Sequence, residues 1–143
     1  MQQSKIRPTG ATASLGRTGF PHLVTPTSGE LDIVTGPSQP GFNPLDLLYA
    51  SLASCMAMSA RIAAHRMGVH ESIREIRVEV GGQKADDGPS RIARFDILFT
   101  IDGDIDAETK LAIVHDAEQI CTVSNTLGEN PGLTLRLTEQ GPA

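Results

Sequence analysis

The side chains of this 143-residue chain best suited to covalent chemistry are two thiols, Cys55 and Cys121, with four imidazoles, His22, His65, His70 and His115, as candidate bases. A thiolate attacks where a thiol does not, and an ordinary cysteine, with a pKa of about 8.5, is mostly protonated in a cell. Chemistry at either cysteine therefore needs surroundings that favour the charged form. The alternative is inert packing, because free cysteine is among the most buried residue types. A cysteine hydrolase would require His65 or His115 to hydrogen-bond a thiol, and neither stands in a context that marks such a pair. No C-x-x-C or H-x-x-x-H pair is present to hold zinc, so no metal is expected. The Gly-rich "GGQKADDG" joins two extended stretches and opens no helix, which makes it a hairpin loop rather than a phosphate cradle.

Each thiol depends on a helix for its position. The stretch "NPLDLLYASLASCMAMSARIAAHRMGV", residues 43–69, predicts one long helix with Cys55 near its middle. Asn43 is a good N-cap, Pro44 suits the first helical position, Asp46 suits the first turn, and Gly68 supplies the stop. At about 100° per residue, Cys55 shares its face with Leu48, Leu52, Met58 and Ile62, and also with Ser51 and Ser59, so that face is half polar. The dense Ala and Ser content suits close approach of another backbone. A second helix, "DAETKLAIVHDAEQIC", is capped by Asp106, carries Leu111, Val114 and Ala117 at helical spacing, and delivers Cys121 near its end. Between the helices, "IREIRVEV" and "RFDILFTI" alternate apolar and polar residues and predict a long β-hairpin. Upstream, "GATASLGR", "HLVTP" and "ELDIVTG" predict short strands separated by turns. Downstream, "LTLRL" puts Leu133, Leu135 and Leu137 on one face of a closing strand. Strands, helix, hairpin, helix and strand define an α+β class.

Length predicts a single domain over residues 1–143, with one modest core. A net charge of −5, scattered basic residues and 3% aromatics without Trp argue against nucleic acid as a partner. Anionic lipid surfaces are disfavoured for the same reason. The N-terminal "MQQSKIRPTGATAS" offers no apolar stretch for a signal peptide, and the apolar run at 47–60 contains three serines and falls short of about 18 apolar residues. The expectation is a cytoplasmic protein with no membrane span. In that compartment two cysteines are free thiols or redox groups rather than a structural disulfide.

Three of these stretches together carry a family resemblance. "NPLDLLYASLASCMAMSA", followed far downstream by "AEQICTVSNTLGENPGLTLRL" and preceded by "ATASLGRTG", resembles the OsmC/Ohr family, named for osmotically inducible protein C and organic hydroperoxide resistance protein. The resemblance implies an intertwined homodimer with the Cys55 helix at its centre, and a thiol peroxidase acting on organic hydroperoxides without a bound cofactor. It implies Cys55 as the peroxide-attacking thiol, Cys121 as the resolving thiol, Arg17 as the active-site arginine, and an external dithiol such as dihydrolipoamide as reductant. Leu45 stands where the family carries a glutamate that pairs with the arginine, which leaves Asp46, one place later, as the candidate arginine partner; on an ideal helix it lies about 180° around from Cys55, where capping is the alternative role. Thr122 stands where the family carries a proline. A nearby Arg17 would favour the thiolate and donate to the leaving oxygen. Phe42, Leu48, Leu52 and Met58 are the expected lining of a pocket selecting alkyl peroxides. A binding or stress-related member of the same fold, with weak or no peroxidase activity, is the alternative.

Overall fold

The computed structural model describes residues 6–138, so the first and last five residues, including the opening of "MQQSKIRPTGATAS", lie outside the described residues. The chain divides into two compact units, Met1–Tyr49 and Ala50–Ala143, each with a sheet of its own.

In the first unit the short pieces between Gly- and Pro-rich turns form β1 (Thr12–Ser14), β2 (His22–Val24) and β3 (Glu30–Asp32), an antiparallel sheet in the order β1-β2-β3. The chain reverses between β2 and β3 through Ser28, whose left-handed φ of 69° lets its N–H donate to the Thr25 carbonyl at 3.0 Å. Beyond the sheet, Ile33 bridges to Phe42, and the Val34 N–H donates to the Phe42 carbonyl at 3.1 Å. That crossing requires Gly41: its φ is 142°, and a Cβ there would sit 2.6 Å from Val34 Cγ2.

Helix α1 (Pro44–Arg66) starts in the first unit and continues into the second. Its start is a reciprocal cap, in which Asn43 Oδ1 accepts the Asp46 N–H at 2.7 Å and Asp46 Oδ2 accepts the Asn43 N–H at 3.0 Å. Its end is a Schellman motif around Gly68 (φ 73°), with the Gly68 N–H donating to the His65 carbonyl and the Val69 N–H to the Ala64 carbonyl, both at 3.0 Å. At 23 residues α1 is longer than the apolar run at 47–60 and passes, by length and composition, as a membrane span. Within the second unit it serves instead as a core helix, burying Leu52, Met56, Ser59, Ala60, Ala63 and Ala64.

The second unit is built on the predicted hairpin, longer than its alternating cores suggested: β4 (Ile73–Lys84) pairs antiparallel with β5 (Ile92–Gly103), with Val78 opposite Phe99 and Val80 opposite Ile97. Arg74 ties its base by a two-pronged pair to Asp102 (2.8 and 3.1 Å) and a further contact to Asp104 at 3.2 Å. Helix α2 (Ala107–Ile120) opens as predicted on Asp106, whose Oδ1 accepts the Thr109 N–H at 2.7 Å. Two apolar clusters fill the unit. One gathers Ala60, Ala63 and Ala64 of α1 with Ile101, Ile113 and Ala117, so the Ala content of α1 is close packing. The other gathers Leu52, Met56 and Cys121 against the hairpin.

Two expectations need correction. A third helix, α3 (Thr122–Leu127), follows Cys121 where sequence predicted no element. The closing strand at 133–137 does not form among the described residues. A strand needs a neighbour for its hydrogen bonds and a layer over its apolar face, and among the described residues this segment finds neither: Leu133, Leu135 and Leu137 are 88%, 88% and 91% exposed.

Candidate active site

The two thiols, far apart in sequence, meet in one apolar cluster, where Cys55 packs against the buried Leu52, Met56 and Cys121. Cys55 projects from the middle of α1 and is half-buried, whereas Cys121 is wholly buried at the junction of α2 and α3. The junction exists because Cys121 leaves the helical conformation (φ −68°, ψ 110°), ending α2 with its N–H on the Ala117 carbonyl at 3.0 Å. Its Sγ then accepts the Ser124 N–H at 3.3 Å, so a thiol caps α3. Leu52, Met56, Val78, Val80, Phe95 and Ile97 are among the apolar side chains that pack around the pair.

The surroundings separate the two sulfurs electrostatically. Burial pushes the Cys55 thiol up, as it must for a group whose charged form loses water. Hydrogen bonds from the Cys121 thiol, the Val123 N–H, the Ser59 hydroxyl and the Thr122 N–H favour the thiolate and more than offset burial, leaving Cys55 below the ordinary thiol value. Cys121 moves the other way. Burial and its bond to Cys55 push it up, and the Ser124 and Val123 N–H groups only partly counter them. The pair titrates as a unit, with the first proton leaving from Cys55 and the remaining one held on Cys121. Of the two sulfurs, Cys55 is the more accessible and Cys121 is buried.

The other predicted residues are distributed as follows. Arg17 is exposed between β1 and β2. Asp46 caps α1. Phe42 is 43% exposed and Leu48 half-buried, both in the first unit. Leu52 and Met58 do not share one lining as expected, because six residues of helix turn them about 120° apart. Leu52 borders a cavity of about 260 Å³ with Phe95, Ile97 and Leu127, whereas Met58 borders another, of about 370 Å³, with Arg61, His65 and His70. His65 is stacked on His70 at 3.7 Å between ring centroids, and neither His65 nor His115 is among the partners of either thiol. The hydrolase geometry is thus not assembled. Among the described residues no group of three or more His, Cys, Asp and Glu is arranged to hold a metal.

Sequence reasoning missed the donors around Cys55. Thr122 and Val123 were hidden because a six-residue helix, "TVSNTL", is too short to show periodicity.

A family model described as OsmC-like protein matches residues 36–136. No curated protein matches the sequence. Among solved structures, the chain is similar to an OsmC-like protein from Mycoplasma pneumoniae (TM-score 0.75, 17% identity, covering 87% of this chain and 89% of that one). It is similar also to the organic hydroperoxide resistance protein OhrB of Bacillus subtilis (0.64, 24%, 87% and 93%). An organic hydroperoxide resistance protein from Legionella pneumophila gives comparable figures (0.65, 22%, 89% and 93%). At these identities the likeness is one of fold, and it bears out the α+β architecture.

Proposed function

The chain belongs to the OsmC-like protein family, and from that premise we propose that it is a thiol peroxidase for organic hydroperoxides, with Cys55 attacking and Cys121 resolving. The observation that carries this reading is the meeting of two free thiols in one apolar cluster, Cys55 half-buried and Cys121 fully buried. The Cys55 thiolate attacks the terminal oxygen of the hydroperoxide. An S–O bond forms as the O–O bond breaks, the alkoxide takes a proton and leaves as the alcohol, and Cys55 becomes a sulfenic acid. Cys121 then gives up its proton and attacks the Cys55 sulfur, so that an S–S bond forms and the hydroxyl departs as water. An external dithiol, of the dihydrolipoamide kind that the family resemblance suggests, reduces the bridge by exchange and is itself oxidised to a disulfide. The cavity beside Leu52, walled by Phe95, Ile97 and Leu127, supports selection of peroxides with alkyl groups over hydrogen peroxide.

Further parts of the proposal rest on the family resemblance. Arg17 is the cation assisting the leaving oxygen, and Arg17→Ala is expected to slow peroxide consumption. The cytoplasm keeps both thiols reduced. The working unit is a homodimer, a reading also supported by the uncovered Leu133, Leu135 and Leu137. Light scattering should then give about twice the 15.2 kDa chain mass.

The deciding experiment counts thiols in reduced protein before and after one equivalent of an alkyl hydroperoxide. Loss of both, with a Cys55–Cys121 peptide in the digest, is the expected result. Thiols that survive unchanged would sink the peroxidase and favour a binding protein.

A further inference from the structure

We propose that α3 is a redox-gated wall of the cavity beside Leu52: the Cys121 sulfur that caps this helix is the same sulfur that a bridge to Cys55 engages, so disulfide formation releases the cap and loosens the wall. The bridge rests on the peroxidase reading, whereas the cap does not.

A six-residue helix is too short to hold itself in water, because few backbone bonds offset the ordering of its first turn. No side chain of α3 is wholly buried, and Val123 packs only partly against the thiol cluster. Its start therefore matters. The Cys121 Sγ accepts the Ser124 N–H at 3.3 Å and the Cys121 carbonyl accepts the Asn125 N–H at 3.0 Å, so one residue satisfies two donors, the first of which the helix itself cannot. The far end closes on the Ser124 carbonyl, which accepts the Gly128 N–H at 2.9 Å. Besides the cap, α3 is tied by Asn125 Nδ2, which donates to the Gln119 carbonyl at 3.0 Å, and by Thr126 Oγ1, which donates to the Thr122 carbonyl at 2.7 Å.

Oxidation acts on that start. Forming the bridge removes one proton and one electron from each thiol and draws the two sulfurs to a bond of about 2 Å, far inside the separation of non-bonded neighbours. Cys55 sits in the middle of α1, whose backbone is bonded above and below and packed on the core, whereas Cys121 sits at a bend outside either helix (φ −68°, ψ 110°), which makes Cys121 the softer partner. Its sulfur then answers to the bridge and not to the Ser124 N–H. The consequence reaches the cavity of about 260 Å³, because α3 and its C-cap supply Ser124, Leu127 and Gly128 to a lining that includes Leu52, Phe95 and Ile97. In the reduced protein that wall stands for the alkyl group of the peroxide; in the oxidised protein it gives way until an external dithiol restores the cap.

The test is amide hydrogen exchange of the full chain, read over residues 121–129 before and after treatment with diamide, whose N=N bond takes up the two hydrogens that the thiols lose. Peptide mapping identifies the Cys55–Cys121 bridge. On oxidation the amides of this segment, Ser124, Asn125 and Gly128 among them, are expected to exchange about fivefold faster, with β4 and β5 unchanged. Cys121→Ala, which has neither cap nor bridge, should exchange fast from the outset. Cys121→Ser and Cys55→Ser, which keep a cap and cannot bridge, should stay slow and ignore diamide. Bridged parent protein whose α3 exchanges as slowly as when reduced overturns the proposal, as does Cys121→Ala exchanging no faster than Cys121→Ser, or a parent chain in which diamide forms no bridge. Because diamide is no peroxide, bridged protein with a loosened α3 that leaves hydroperoxide intact would refute the peroxidase reading and leave the gate standing; hydroperoxide turnover with an unmoved α3 would do the reverse.

Discussion

Each of the two units contains a titratable side chain clamped by hydrogen bonds, with opposite consequences. In the first, the His22 ring spans the β2–β3 pair, Nδ1 lying 2.7 Å from Asp32 Oδ1 and Nε2 3.4 Å from Glu30 Oε1, all exposed to water. The bonds to Asp32 and then Glu30 raise its pKa above the ordinary imidazole value. In the second, Cys55 meets its donors against an apolar wall. Solvent screens the first clamp, so it can be no more than a surface staple on a three-stranded sheet. Partial burial against that wall leaves each donor of the second more weight, and the two thiols shift in opposite directions. In the second cluster burial by itself disfavours the thiolate, and it is the donors that bring Cys55 below the ordinary thiol value.

The hardest test of that contrast is removal of a sulfur. Cys55→Ser should abolish peroxide consumption, whereas Cys121→Ser should retain the first attack and then accumulate sulfinic acid on Cys55, visible as a gain of two oxygens by mass. Equal loss of the first attack in both variants would reverse or void the assignment. Next in size is the packing that keeps the second unit dry. Ile113 is fully buried beside Ala60, Ala63 and Ala117, and Ile113→Ala should lower stability by about 2–5 kcal/mol in denaturant titration. A change under about 1 kcal/mol would mean that this alanine-lined cluster is not a tightly packed core.

A smaller effect isolates one backbone donor. Thr122 is the first residue of α3, a position where proline fits sterically, so Thr122→Pro removes the N–H that reaches Cys55 with little other disturbance. The pH midpoint for iodoacetamide alkylation of Cys55 should rise modestly, and a fall would show that the amide does not favour the thiolate. The smallest effect belongs to the exposed clamp. Because the folded His22 pKa is raised, its contribution is fully present below the unfolded value of about 6.5 and is lost as pH rises through the folded value. Amide hydrogen exchange in β2 and β3 should therefore show a slight loss of protection across that window, absent in His22→Gln. Loss of protection in the opposite direction would mean that the clamp destabilises the sheet.

What the sequence determined by itself was everything governed by neighbours along the chain. The Asn43 cap, the Gly68 stop, the alternation at 73–80 and 94–101 and the Asp106 cap each depend on residues within a few positions, and they put Cys55 and Cys121 on the right elements. The family resemblance, resting on short motifs in order, reached the two-cysteine chemistry by a separate route. The tertiary structure alone decided the rest. Whether "LTLRL" becomes a strand depends on a partner that no local pattern supplies. Above all, the lowering of one thiol pKa and the raising of the other come from desolvation and from donors on a six-residue helix beginning just after Cys121, which approach the Cys55 sulfur only when α1, the hairpin and α2 have packed. A hydrogen bond in a low-dielectric site is a property of that assembled geometry, so spacing in the chain could name the two sulfurs but could not say which would carry the charge.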